Sequence, residues 1–179
     1  MKKIDLIRGL SDLDRRGIFV VAKRDLEKMF PHEGEKAMEK SLQRMVIDGL
    51  LVRAAKGVYV NPAAASKHSR VIEVVAKALR PGCFSYVSLE SMLSEYGLIS
   101  QIPIDRITVM TTGRDGVYRT PYGTIEFKHT KRRPADIIES TEAVEGRPLR
   151  IAKREAAVRD LRRVGRNVGM LDEVEAEFA

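Results

Sequence analysis

The chain has 179 residues, of which 44% are hydrophobic and 32% charged. That balance belongs to a folded chain of one domain or two small ones, not to a disordered one. No run approaches the roughly 18 consecutive apolar residues of a membrane span. Asp5, Arg8 and Asp12 interrupt the start where a secretion signal needs an apolar stretch, and the lone Cys83 excludes an internal disulfide, so a reducing cytoplasm is the expected location.

The formal net charge is +7 and the isoelectric point about 9.6. A basic surplus suits a polyanion, because each Lys or Arg that meets a phosphate releases condensed counterions. Residues 1–62 carry a surplus of four cations and the longer remainder a surplus of three. The N-terminal third is therefore the more anion-facing part.

Ile4, Ile7, Leu10 and Leu13, with Leu6 beside them, form a helical stripe over residues 3–16 that Gly17 ends. Ile18-Phe19-Val20-Val21 predicts a short strand. Residues 24–30 predict a short helix with Leu26, Met29 and Phe30 on one face, stopped by Pro31. His32-Glu33-Gly34 is a turn. A longer helix over 35–48 follows, with Met38, Leu42, Met45 and Val46 inward and Gly49 at its end. Leu50-Leu51-Val52-Arg53 and Gly57-Val58-Tyr59-Val60 then form a hairpin around Ala54-Ala55-Lys56, which Asn61-Pro62 closes.

Helix, strand, helix, helix, hairpin is the order of a winged helix-turn-helix. In that fold the second helix of the pair enters the major groove and the wing touches the backbone. Mapped onto this chain, the reading helix is 35–48, with Lys36, Glu39, Lys40, Gln43 and Arg44 exposed. Arg44 or a lysine suits guanine edges and Gln43 suits adenine. Arg53 and Lys56 on the wing, and Lys23 and Arg24 before it, suit phosphates. The alternative is a solvated face in which Glu35 and Glu39 pair with Lys36 and Lys40 at helical spacing.

The alanine run 63–65 marks a boundary. Beyond it Ser66 is placed to cap a helix reaching Leu79, and Ser88 to cap another up to Tyr96. Residues 107–112 predict a strand, and 117–119 with 124–128 a hairpin around Thr120-Pro121-Tyr122-Gly123. Residues 149–152 suit a strand, 154–164 a helix with Ala157, Val158 and Leu161 inward, and 170–178 a last helix. The predicted class is α+β: a winged helix over 1–62, then a mixed α/β domain over 63–179 with a small, mostly antiparallel sheet.

Catalytic signals are poor. His32, His68 and His129 are scattered, no cluster has metal spacing, and Cys83 reads as a core filler. Thr111-Thr112-Gly113-Arg114-Asp115-Gly116 lacks the phosphate-loop pattern and reads as a turn. No enzyme, metal or cofactor is expected. Lys131, Arg132 and Arg133, with Arg147, Arg150, Lys153 and Arg154, are expected to form a second basic surface.

The segment Tyr86-Val87-Ser88-Leu89-Glu90-Ser91-Met92-Leu93-Ser94-Glu95-Tyr96-Gly97-Leu98-Ile99 resembles AbiEi-family antitoxins. The strand Ile107-Thr108-Val109-Met110-Thr111-Thr112-Gly113-Arg114, the 120–123 hairpin and the segment from Ile151 to Leu161 are similar too. The resemblance implies a type IV antitoxin encoded beside a nucleotidyltransferase-like toxin, in phage defence or plasmid maintenance. It implies an N-terminal domain that binds inverted repeats in promoter DNA and represses its own operon. The C-terminal domain would neutralise the toxin, with direct contact left open. The residues are also compatible with a stand-alone winged-helix regulator whose second domain senses a ligand or partner.

Overall fold

Leu6 and Leu10, one helical turn apart, anchor the first helix of a computed structural model that describes residues 1–99, 105–165 and Gly169. The helix expected at 170–178 lies outside the described residues. The chain is α+β and divides into two compact units, Met1–Leu79 and Arg80–Ala179. Among the described residues no helix is long and apolar enough to cross a membrane.

In the first unit α1 (Lys3–Asp14), β1 (Val20–Ala22), α2 (Lys23–Met29) and α3 (Glu35–Ile47) are followed by β2 (Val52–Ala55), β3 (Val58–Val60) and α4 (Val71–Leu79). Helix α1 turns Leu6 and Leu10 inward, whereas Ile4 and Ile7 stay exposed. The three-residue steps drift round a helix of 3.6 residues per turn, so only part of the expected stripe reaches the core. Leu6, Leu10, Leu26, Met38, Leu42, Met45 and Leu51 pack into one cluster with Val21 and Tyr59. Each such side chain contributes about 1.5–3 kcal/mol by leaving water.

The three strands form an antiparallel sheet in the order β1-β3-β2. Strand β2 begins later than expected, and an irregularity between Arg53 and Ala55 lets Ala54 turn into the core. The hairpin turn is only Lys56-Gly57, and Gly57 adopts φ +75°, a left-handed value that glycine takes without strain.

The unit boundary falls after Leu79 rather than after 62, because α4 packs on β1 and β3. Helix α4 also begins at Val71, not near Ser66. Asp14 explains the delay. Its carboxylate accepts the backbone N–H groups of Ala65 and Ser66, both at 2.9 Å, and so holds that stretch in turns.

The second unit contains β4 (Ser85–Val87), α5 (Leu89–Glu95), β5 (Arg106–Thr111), β6 (Gly116–Thr120), β7 (Gly123–His129), α6 (Pro134–Glu139), β8 (Thr141–Glu142), β9 (Arg150–Ala152) and α7 (Arg154–Val164). Its sheet has six strands in the order β6-β7-β5-β4-β9-β8. It is larger and more mixed than expected. Strands β5 and β7 run parallel, as do β4 and β9. The 120–123 hairpin sends β6 to the sheet edge, so β7 docks beside β5 in the same direction. Alternation within each strand predicts the hairpin but not which neighbour its second arm meets.

Helices α5 and α7 pack together. The buried Asp160 of α7 accepts hydrogen bonds at Oδ2 from Tyr86 and Ser88, each 2.9 Å long. Ser88 thus bonds across to α7 instead of capping α5. Thr108 fixes the start of α5: its hydroxyl donates to the Ser88 carbonyl at 2.7 Å, and its N–H donates to Ser91 Oγ at 2.9 Å. Between these ties Leu89 is held at φ +58°, a strained value for a side-chain-bearing residue. On α7, Ala157 and Leu161 are buried as expected, while Val158 is half-buried and Ala156 and Asp160 take inward positions.

Burial, with the adjacent Asp160 charge second, holds the Tyr86 hydroxyl well above the usual tyrosine range. The neutral hydroxyl is the form that folding favours. Its contribution is complete below the ordinary tyrosine value of about 10 and fades as pH rises through the raised value. Asp160→Ala should destabilise the protein by about 3 kcal/mol, because it leaves the buried Tyr86 and Ser88 hydroxyls without their acceptor. Tyr86→Phe should cost about 1 kcal/mol and flatten the alkaline loss of stability. Urea unfolding between neutral and alkaline pH measures both.

Candidate nucleic-acid interface

Helix α3 has two chemically different sides. Met38, Ser41, Leu42 and Met45 are buried, whereas Lys36, Glu39, Lys40, Gln43 and Arg44 are exposed. Arg44 donates to Ser41 Oγ of the same helix at 3.2 Å, which steadies the guanidinium without neutralising it. Lys40, Gln43, Arg44, Ala37 and Ile47 line part of an open groove of about 680 Å³. Arg53 and Lys56 of the hairpin are also exposed. Among the described residues Lys36, Lys40, Arg53 and Lys56 make no ion pair.

Lys23 differs from the other candidate cations. Its backbone N–H donates to the Gly57 carbonyl at 2.8 Å, which fastens the hairpin turn to the first residue of α2. Its ammonium donates to Glu39 at 2.9 Å and has Glu27 at 3.6 Å and Glu35 at 3.8 Å. One side chain therefore joins α2 to α3 while its backbone joins α2 to the hairpin. Glu35 and Glu39 turn to Lys23 on the neighbouring helix rather than to Lys36 and Lys40 on their own. Arg24 is exposed, with Asp25 at 3.8 Å. Asp25 also accepts the Ala22 N–H at 3.2 Å, closing the first turn of α2 where the residue before the helix has no polar side chain.

The hydrogen bond from Lys23 chiefly holds the Glu39 carboxyl below the usual glutamate range, and Lys56 adds a smaller pull. The same bond raises Lys23. The stabilisation from Glu39 is therefore present above the ordinary glutamate value and fades as pH falls through the lowered one. Exposed pairs of this kind are individually worth little, so the cluster orients elements more than it stabilises the fold.

The second basic surface is not assembled as one patch. Arg147 donates to both oxygens of Glu95 at 2.7 Å. Arg150 donates to Thr141 Oγ1 at 2.7 Å and to the carbonyls of Thr141 and Ile138. Arg133 pairs with Asp136 at 2.9 Å, and Arg132 Nε lies 3.9 Å from Asp160. These four arginines have such partners, although Arg133 stays exposed; Lys131, Lys153 and Arg154 are exposed as well. Sequence proximity grouped the seven cations, but the partners of Arg147 and Arg132 lie far off in sequence, at Glu95 and Asp160.

The remaining candidates behave as connectors. His129 Nδ1 lies 2.8 Å from the Gly113 carbonyl, and the His68 ring meets Phe19 edge-on with centroids 5.2 Å apart. Cys83 is half-buried rather than a core residue. Among the described residues no group of three His, Cys, Asp or Glu side chains is arranged to hold a metal. Sequence reasoning missed Glu27 and Glu35 as partners of Lys23. The acidic positions 27, 35 and 39 lie on two helices, and only their packing brings them together.

Lys23→Met should return Glu39 towards the ordinary glutamate range. Carbon NMR of the side-chain carboxyl, followed across an acid titration, reads this directly; an unmoved Glu39 would place its stabilising charge elsewhere.

No family model matches the chain, and no curated protein matches it. Among solved structures, the crystal structure of the RV2827C protein from Mycobacterium tuberculosis is similar at 18% identity, with a TM-score of 0.48 over 76% of this chain. The chain spans about half of that protein, 48% of its length.

Proposed function

We propose that this chain is a DNA-binding autorepressor and an antitoxin of the AbiEi kind, acting in the cytoplasm. In this reading the first unit is a winged helix, α3 lies in the major groove and the β2–β3 hairpin is the wing. The observation that carries it is the exposure of Lys36, Lys40, Gln43 and Arg44 along one side of α3, together with cationic Arg53 and Lys56 on a hairpin fastened to the start of α2. Such a surface has base-reading groups in the middle and phosphate-binding groups at its margin, the division that duplex recognition needs.

The antitoxin half of the proposal rests on the resemblance of residues 86–99 and 151–161 to AbiEi proteins. The partners would be promoter DNA with inverted repeats and a nucleotidyltransferase-like toxin encoded alongside. Exposed Lys131, Lys153 and Arg154 are available to an acidic partner.

Fluorescence anisotropy with a duplex from upstream of the gene tests the first half. Lys40→Ala combined with Arg44→Ala should weaken binding at least about tenfold, since each well-placed base contact is worth about 1–3 kcal/mol. Unchanged binding would move the reading surface away from α3. Co-expression with the neighbouring toxin gene tests the second half: the full chain should restore growth. Repression without rescue would favour a stand-alone regulator.

A further inference from the structure

We propose that Lys23 is a positioning residue of the DNA-facing surface, held by Glu35 and Glu39 away from phosphate so that α2, α3 and the hairpin turn keep one arrangement. The inference rests on the DNA-binding reading above and changes what Lys23 and Glu39 do within it. By sequence Lys23 is a phosphate contact and Glu39 a base contact. The geometry gives both another task.

Three carboxylates lie within 4 Å of one ammonium, so the cluster around Lys23 carries a net negative charge. The Lys23 side chain is 24% exposed, against 62% for Lys3 on α1. To reach a phosphate it would have to break a 2.9 Å charged hydrogen bond and leave the carboxylates facing the backbone. Lys36 and Lys40 on α3 have no such restraint. They stay free to reach base edges and the exposed Arg53 and Lys56 of the hairpin supply the phosphate attraction, while Glu35 and Glu39 repel any duplex that does not seat the helix correctly. Repulsion of this kind lowers general affinity and raises the preference for the right site.

The measurement is the slope of log affinity against log salt, which counts phosphates neutralised at about 0.9 per contact on duplex DNA. Two probes are used, the upstream duplex and a scrambled duplex of equal length and composition. The proteins are the full chain, Lys23→Met, Glu35→Gln with Glu39→Gln, and the triple variant, each checked by thermal melting.

The glutamine pair should steepen the slope by about 0.9 on both duplexes, as Lys23 is released to a phosphate, and should narrow the preference between them several-fold. The added slope should vanish in the triple variant. Lys23→Met alone should weaken the upstream complex several-fold with the slope unchanged. A slope flattened by Lys23→Met, or a steepening that survives in the triple variant, would overturn the proposal. Should Lys23→Met not fold, the glutamine pair still decides: an unaltered slope and preference sink the idea. Absence of duplex binding by the unaltered chain is a different failure, which removes the DNA-binding reading itself and this inference with it.

Discussion

The ammonium of Lys23 is the joint that fixes α2 against α3 in the first unit. Helix α3 can present a row of polar groups only if its orientation to α2 is fixed, and a hairpin can act beside it only if its turn is fixed too. The hydrophobic cluster of Leu26, Met38, Leu42 and Met45 supplies most of the packing energy, but apolar contacts are non-directional and tolerate sliding. A charged hydrogen bond to Glu39 and a backbone bond to Gly57 add the direction that packing lacks. Burial supplies the stability and polar contacts supply the registration.

The second unit solves the same problem with the opposite charge. Asp160 is fully buried, and its hydrogen bonds run to Tyr86 and Ser88 at the mouth of α5. The segments 86–99 and 151–161 therefore meet at one carboxylate. Two further polar residues of the first segment are tied in the same way. Ser91 bonds to Thr108, and Tyr96 donates to the Ala152 carbonyl at 2.8 Å. These ties link α5 to the sheet and to α7.

Much of this was legible in the residues. The order of elements in the first unit followed from the apolar stripe of residues 4–13, from Met38, Leu42 and Met45, and from the two β-like runs around 54–56, because all are local signals; that the turn itself is Lys56-Gly57 came only from the structure. The exposed side of α3 was legible for the same reason: amphipathic spacing names the outer positions along with the inner ones. What escaped was non-local. Nothing in the spacing of 131–133, 147 and 150 announces that Arg147 finds Glu95 or that Arg150 finds Thr141. Helix α6 escaped because it is only six residues long and follows a basic run, although Pro134 suits a first helical position. The extent of the sheet was hidden because a strand of two residues, such as β8, has no periodicity to read.

The parallel pairing of β5 with β7 has a consequence for how the second unit comes together. Between these strands the chain must travel out to the rim along β6 and reverse through two residues. The hairpin is a short-range event that closes quickly, whereas its union with β5 requires the whole excursion to be in place. The β6–β7 ribbon is therefore the local, cheaply closed part, and its union with β5 is the costlier step. A lesion in the Pro121-Tyr122 reversal would be felt at the centre of the sheet, far from where it was made.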